Sequence, residues 1–246
     1  MRFTTEALVI KESNIGENDR LVTLLTREMG VIRAFAAGAK SIKSKKGAAT
    51  GLLAYSSFTI LKKNDTYKIY EATPIKIFFG AGGDIVKLSL SQYFCELSAV
   101  LVPRETNSEE YLRLILNSLH FLIFEDRNPY LIKAITELRL AVISGYSPNL
   151  VACDGCGKFE DDIMNFCIQD GQLYCNDCKL SSIQTVPLER TIVSAMRHIV
   201  YSKFASLYSF DIPEDAAKKL SKITEKYIVM QTEHHYYTLD FYNSII

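Results

Sequence analysis

The chain has 246 residues, 48% of them hydrophobic and 23% charged, a composition typical of a globular protein with a sizeable core. Its length predicts roughly two domains, since one domain takes about 100–200 residues. The formal net charge is zero, so the total charge indicates no polyanionic partner. The distribution of charge along the chain does indicate such a partner, because residues 1–80 hold thirteen Lys/Arg against seven Asp/Glu.

Targeting signals are not evident. The start at Met1-Arg2 lacks the apolar segment of a signal peptide, and no run of 18 apolar residues predicts a membrane span. Paired cysteines without a secretory signal fit a reducing compartment, where thiolates hold metals. We therefore expect a cytoplasmic protein.

Short apolar runs with turn signals between them predict five antiparallel strands in the first 75 residues. Asn64-Asp65 suits the hairpin turn before the last strand. There, Tyr67, Ile69 and Glu71 are expected to share one face. Five such strands have the size of an OB-type β-barrel, with an SH3-like barrel as the alternative. The strands are predicted within 6–11, 20–26, 31–36, 56–62 and 66–71.

A lysine-rich segment lies between the third and fourth predicted strands. It holds Lys40, Lys43, Lys45 and Lys46, with glycine at both ends and no acidic residue. One interpretation is a solubilising loop. The sharper one is a surface that binds nucleic-acid phosphates, supported by nearby cations and by aromatic rings that could stack on bases. The supporting cations are Arg20, Arg33, Lys62 and Lys63, and the rings are Phe35, Tyr55, Phe58, Tyr67 and Tyr70.

From residue 84 the apolar period becomes 3.6, which predicts helices. Ser108 is expected to cap the second helix, and Asn128-Pro129 to begin the third. Two more helices are predicted, from Pro187 to about residue 200 and from near Pro213 to about residue 233. The fold class is thus multidomain α+β, with an OB-type barrel at 1–80 and an α-helical domain at 81–246.

Two Cys-x-x-Cys pairs lie within this helical domain, as an insertion at 150–182. Their spacing matches a four-thiolate zinc site, closed to water and therefore structural, with one Zn²⁺ per chain. Disulfides, a redox pair, unrelated thiols and bound iron are the alternatives. Gly155 and Gly157 supply the backbone freedom that such turns need. The predicted ligands are Cys153, Cys156, Cys175 and Cys178.

Other candidate sites have simpler explanations. Cys95 and Cys167 fall in apolar patterns and are expected to pack in a core. The adjacent His234-His235 pair and Asp161-Asp162 have no third ligand in view, so no further metal site is expected. No acid–base or nucleophile motif is recognisable, and no enzyme is predicted.

Several strings together resemble the bacterial recombination mediator family RecO. They include Gly30, the stretch Gly38-Ala39-Lys40 with its following lysines, and both cysteine pairs. The longest is Gly16-Glu-Asn-Asp-Arg20-Leu-Val-Thr-Leu-Leu-Thr26. The likeness spans nearly the whole chain, with specific strings in the first 50 residues and around the cysteines.

The resemblance implies an OB-type domain that binds single- and double-stranded DNA and anneals complementary strands. It also implies work with RecR to load recombinase onto DNA coated by the single-strand-binding protein. No membrane or small-molecule substrate is expected. The alternatives from other classes are a zinc-ribbon OB-fold RNA-binding protein and a nucleic-acid enzyme with unrecognised catalytic residues.

Overall fold

A computed structural model describes residues 1–41, 44, 46–78, 84–179 and 184–246. The chain divides into two compact units. The barrel unit comprises Met1–Asp126 and Tyr236–Ile246, and the cysteine unit comprises Arg127–His235. The boundary between these compact units lies after residue 126. The domain boundary that the sequence predicts at residue 80 stays a prediction.

Five strands close into a barrel in the order β1-β2-β3-β5-β4. Neighbouring strands are antiparallel except β3 and β5, which are parallel. This order confirms the OB-type barrel and excludes the SH3-like alternative. The strands are β1 (Arg2–Ile15), β2 (Asp19–Thr26), β3 (Val31–Ala36), β4 (Ala54–Lys63) and β5 (Thr66–Ile77).

The barrel interior is filled by alternating apolar residues, among them Val22, Ala34, Phe58 and Ile60. On β5 the predicted alternation fails after Ile69. Thr59 pairs with residue 71 and Ile60 with residue 69, which leaves one extra residue on β5 as a bulge. The bulge reverses the faces, so the expectation that position 71 shares a face with Tyr67 and Ile69 is wrong: position 71 is exposed, and Ala72 is buried.

The described part of the barrel unit also contains the helices α1 (Ile85–Leu101), α2 (Glu109–Ile123) and α6 (Tyr237–Ile245). The sequence predicted the first two and missed α6, which buries only Leu239 and Tyr242 and lacks a side-chain cap. Ser108 precedes α2 but does not cap it through its side chain. Its hydroxyl instead donates to Thr26 O at 2.6 Å and accepts from Gly30 N at 3.0 Å.

The cysteine unit packs helices against a small sheet. Its helices are α3 (Pro129–Ile143), α4 (Arg190–Tyr201) and α5 (Glu214–Thr232). The strands β6 (Asn149–Cys153), β7 (Ile163–Cys167), β8 (Gln172–Tyr174) and β9 (Val186–Glu189) form the sheet in the order β6-β8-β7-β9.

Two sequence expectations about this unit have clear outcomes. The Asn128 side chain accepts from Tyr130 N and Leu131 N, so the predicted cap of α3 is confirmed. The helix predicted from Pro187 begins later, at Arg190, because residues 186–189 pair with β7 as a strand. Among the described residues, no helix is both long and apolar enough to cross a membrane.

Candidate metal centre and nucleic-acid interface

The four predicted cysteines meet at one point. Cys153 ends β6, Cys175 follows β8, and these two strands are parallel neighbours. Each strand therefore delivers one pair of thiols to the same edge of the sheet. All four sulfur atoms lie within 4.8 Å of one another, and Cys156 Sγ is 3.8 Å from Cys175 Sγ.

This spacing fits a metal ion. A tetrahedron with metal–sulfur bonds of about 2.3 Å has sulfur–sulfur edges of about 3.8 Å. Cys153 and Cys175 are buried, whereas Cys156 is exposed. The four thiols therefore form a cluster that can hold one metal ion, with two ligands anchored in the protein interior.

The protonation chemistry of the cluster favours a cation. Burial raises the pKa of Cys153, but backbone N–H groups of Cys175, Cys156 and Gly155 outweigh burial and lower that pKa to about 6. Hydrogen bonds to Cys156, Cys175 and Cys153 instead raise the pKa of Cys178 to about 12. Full ionisation of the cluster would crowd four negative charges together, and a bound cation would relieve this repulsion.

The two glycines of the first turn have different roles. Gly157 has a φ of +74°, a conformation that favours glycine, as expected. Gly155 is required for space, because a Cβ atom there would lie 2.9 Å from Cys178 Cβ and 3.0 Å from Cys178 Sγ. The expectation that both glycines supply backbone freedom is therefore wrong for Gly155.

Arg197 of α4 holds the first cysteine turn in place. Its Nε donates to Leu150 O at 2.7 Å, and its Nη2 donates to Val151 O at 3.1 Å and Phe159 O at 2.5 Å. The guanidinium also lies 4.1 Å from the centre of the Phe159 ring. Burial lowers the pKa of Arg197. This one side chain ties the strand before the cysteines to the segment after them.

The other candidate ligands lie elsewhere. Cys95 and Cys167 are buried and do not belong to the cluster. Within the described part of the chain, the four cysteines are the only group of three or more His, Cys, Asp or Glu side chains placed to share a metal ion. The histidine pair at 234–235 and the aspartates at 161–162 contribute to no such group.

On the barrel, two of the predicted nucleic-acid residues help to hold the lysine segment. Arg20 Nη1 donates to Gly47 O at 3.0 Å and lies 3.4 Å from Glu12 Oε2. Lys46 Nζ donates to Ala37 O at 3.1 Å and Ile69 O at 3.4 Å. Both cations therefore make contacts within the barrel that the sequence did not indicate.

The remaining predicted residues are spread around the barrel. Lys40, Arg33 and Lys63 are exposed, while Lys62 lies 3.4 Å from Glu105 Oε1. The predicted Lys43 and Lys45 lie outside the described residues.

Sequence reasoning passed over several cations near the barrel surface, among them Lys11, Lys68 and Arg104. Lys11 and Lys68 are exposed on β1 and β5, and Arg104 lies in the α1–α2 connection. Strand alternation could have indicated Lys68, since it follows inward Tyr67. Lys11 follows a register shift at 9–11, and Arg104 is distant in sequence, so neither carries a local signal.

Comparison with known proteins gives a family for both parts of the chain. Residues 1–78 match the family model "Recombination protein O N terminal", and residues 82–239 match "Recombination protein O C terminal". The chain is 31% identical over 241 residues to the DNA repair protein RecO of Acetivibrio thermocellus, covering 98% of this chain and 96% of the relative. It is 28% identical over 241 residues to the RecO of Caldicellulosiruptor bescii, covering 98% of each chain.

Proposed function

This chain belongs to the RecO family of DNA repair proteins, and from that premise we propose that it is a recombination mediator. It binds single- and double-stranded DNA without sequence preference and anneals complementary strands. Together with RecR it loads recombinase onto DNA coated by the single-strand-binding protein. This work takes place in the bacterial cytoplasm, on the nucleoid.

The observation that carries this proposal is the closed OB barrel with cations on its surface. Lys40, Arg33 and Lys68 are exposed on it. Lysine and arginine bind phosphates and release counterions, and such contacts carry no sequence information. A barrel of this kind binds any single strand, which suits a mediator that acts on DNA of every sequence.

Annealing requires no catalytic residue. Two complementary strands repel each other through their phosphates, and a cationic surface that holds both lowers this repulsion. We therefore propose that the protein works by binding and not by turnover. Nuclease or ATPase activity that is lost on one point mutation would overturn this part of the proposal.

The four-cysteine cluster is proposed to bind one structural Zn²⁺ through Cys153, Cys156, Cys175 and Cys178. The sulfur spacing supports this, and four thiolates leave no open position for water. When bound, the ion would supply a cross-link between the turns after β6 and β8. Iron also binds four thiolates, and a red colour of the purified protein would reveal it.

The experiment for DNA binding compares single-stranded DNA, duplex DNA and RNA of the same length and sequence, each titrated at several salt concentrations. We expect DNA binding in which the logarithm of the affinity falls linearly with the logarithm of the salt concentration. Strong preference for RNA would favour the zinc-ribbon RNA-binding alternative. Absence of DNA binding at low salt would contradict the proposal.

A further inference from the structure

We propose that one face of the barrel is the path of the single DNA strand, with Phe35 stacking on a base and with Arg33 and Arg104 binding phosphates. This face, the β2–β3–β5 face, comprises the outward residues Leu21, Thr23, Arg33, Phe35 and Lys68. The inference rests on the proposed function and assigns residues to its DNA site.

The strand register aligns these side chains in two rows. Leu21 pairs with Phe35, and Phe35 pairs with Lys68, which gives one row across β2, β3 and β5. Thr23 pairs with Arg33, which gives the next row. Residues two apart on a strand point to the same side, so both rows lie on one outward surface.

Phe35 is placed to meet a base. It is half-buried on β3, between half-buried Leu21 and exposed Lys68. Every base has a π-face, so an aromatic ring beside a cation binds single strands with little sequence preference. Bases of a duplex are already stacked and paired, and they cannot use such a ring.

The other aromatic candidates on the barrel have other roles. Phe58 is fully buried and Tyr67 is 8% exposed, so both fill the core. The Tyr55 hydroxyl donates to Glu6 Oε2 at 2.5 Å. Phe35 is therefore the candidate ring whose position on the β2–β3–β5 face suits stacking.

Tyr70, the fifth of these rings, lies at the β5 bulge and is covered by the Arg2 guanidinium, 4.4 Å from its centre. Tyr70 is 51% exposed, so it is an exposed aromatic residue of the same barrel that does not belong to the β2–β3–β5 face. This makes Tyr70 the matched control for Phe35.

A cleft of about 560 Å³ continues the face toward the α1–α2 connection. Arg33 and Arg104 both line it, together with Thr23, Tyr67 and Ala99. This volume falls in the range of about 300–1,000 Å³ of small-ligand sites, and it suits one nucleotide unit and not a duplex. Two guanidiniums beside one such space form a ready phosphate site.

The cleft lining carries two guanidiniums and two carboxylates, so its cations must be considered one by one. Its lining also includes Asp65 and Glu105, and the Glu105 carboxylate lies 3.4 Å from Lys62 Nζ. In the part of the chain that the structure describes, neither Arg33 nor Arg104 has a carboxylate partner within 4.0 Å. Both guanidiniums can therefore bind a phosphate without first breaking an ion pair.

The backbone fixes Arg104 beside the barrel. Arg104 pairs with Gly30 in an isolated antiparallel bridge, and Glu105 N donates to Met29 O at 3.0 Å. The α1–α2 connection is thus attached to the turn between β2 and β3. Arg104 is part of the barrel surface even though it lies outside the barrel strands.

The test measures binding of a labelled oligothymidine and of a duplex of equal length. Phe35→Ala should weaken single-strand binding roughly 5- to 140-fold, with an unchanged salt slope, since stacking releases no counterions. Phe35→Leu should lose most of this affinity while keeping an apolar side chain, and Phe35→Trp should restore it. Duplex affinity and the Tyr70→Ala control should change less than about 2-fold, because neither involves stacking on Phe35.

The phosphate contacts have a separate readout. Arg104→Gln and Arg33→Gln should each reduce the single-strand salt slope by about 0.7. Thermal unfolding and circular dichroism establish which variants are folded. If Phe35→Ala does not fold, the affinity of Phe35→Leu tests whether Phe35 stacks on a base. Parent-like affinity and slope in Phe35→Leu and Arg104→Gln would overturn the inference and leave the proposed function standing. A parent protein that binds no DNA would overturn both.

Discussion

A Cβ atom on Gly30 would lie 1.8 Å from the carbonyl oxygen of Pro103, so the β2–β3 turn meets the α1–α2 connection backbone to backbone. Gly30 also has a φ of +64°, and its N–H donates to Ser108 Oγ at 3.0 Å. Glycine is thus required here both for its conformation and for its size. The contact fixes the position of Arg104 beside the barrel.

Gly30→Ala should therefore destabilise the protein more than the strain of a left-handed alanine alone explains. Gly16→Ala is the matched control, because Gly16 has a φ of +57° and open space around its Cβ position. We expect the control to cost about 1–2 kcal/mol. Gly30→Ala should exceed it by at least about 1 kcal/mol, since the connection must also move. Equal losses in urea unfolding would show that the close contact is unimportant.

The four-cysteine cluster gives a second prediction. Changing Cys153 or Cys175 to Ser should reduce the zinc content from one ion per chain to nearly none and should destabilise the cysteine unit. Metal-binding free energy contributes directly to folding at structural zinc sites, where it reaches about 10–16 kcal/mol in isolated zinc fingers. Elemental analysis and thermal unfolding measure the two effects.

Cys167→Ala is the control for the metal site. Cys167 is a buried cysteine of the same sheet that lies outside the cluster. The Cys167→Ala variant should lose some packing energy and keep its full zinc content. A parent protein without zinc or iron, with four freely reactive thiols, would contradict the assignment.

A buried ion network between α3 and α5 gives a third prediction. Lys133 Nζ lies 2.8 Å from both Glu137 Oε1 and Glu225 Oε2, and Lys133 and Glu137 are fully buried. Thr224 Oγ1 donates to Glu137 Oε2 at 2.6 Å. Lys133→Met should lower the free energy of unfolding by about 3–5 kcal/mol, because it leaves a buried carboxylate without its cation.

Two further variants test that explanation. Lys133→Met/Glu137→Leu should recover much of the loss, since it removes the carboxylate as well. Lys218→Met removes the cation of an exposed pair, 2.7 Å from Glu214 Oε1, and should have little effect. A double variant as unstable as the single one would show that packing, not charge, determines the loss.

The lysine segment gives a fourth prediction. Replacing Lys40, Lys43, Lys45 and Lys46 by Ala should weaken binding to every DNA sequence and flatten the salt slope by at most about 3, at about 0.7 for each phosphate contact. Lys46 already donates to two barrel carbonyls, so its share should be the smallest of the four. Binding and annealing like the parent at moderate salt would exclude the segment from the DNA site.

Much of this architecture could be predicted from local pattern. Strand alternation gave the five-stranded barrel, and the spacing of two Cys-x-x-Cys pairs gave the cluster, because both signals reside in short stretches. The β5 bulge could not be predicted, since the extra residue is visible only in the pairing of β4 with β5. Helix α6 was missed because it has no side-chain cap and buries just two large side chains.

The site proposed on the barrel was harder to predict because its residues meet only after folding. Charge alone selected Arg20, whose guanidinium holds Gly47 O and Thr50 Oγ1. Charge alone also gave no reason to join Arg33 with Arg104, which are brought together by the contact of Gly30 with the α1–α2 connection. Composition thus indicated a cationic surface, whereas the arrangement of its members required the tertiary structure.

The most direct measurement of the central claim is strand-annealing kinetics on bare single-stranded DNA and on the same DNA coated by single-strand-binding protein. We expect the protein to accelerate annealing on both substrates, without nucleotide hydrolysis. The acceleration should fall as salt rises, because it depends on phosphate contacts. DNA that binds the protein yet anneals no faster than free strands, on either substrate, would contradict it.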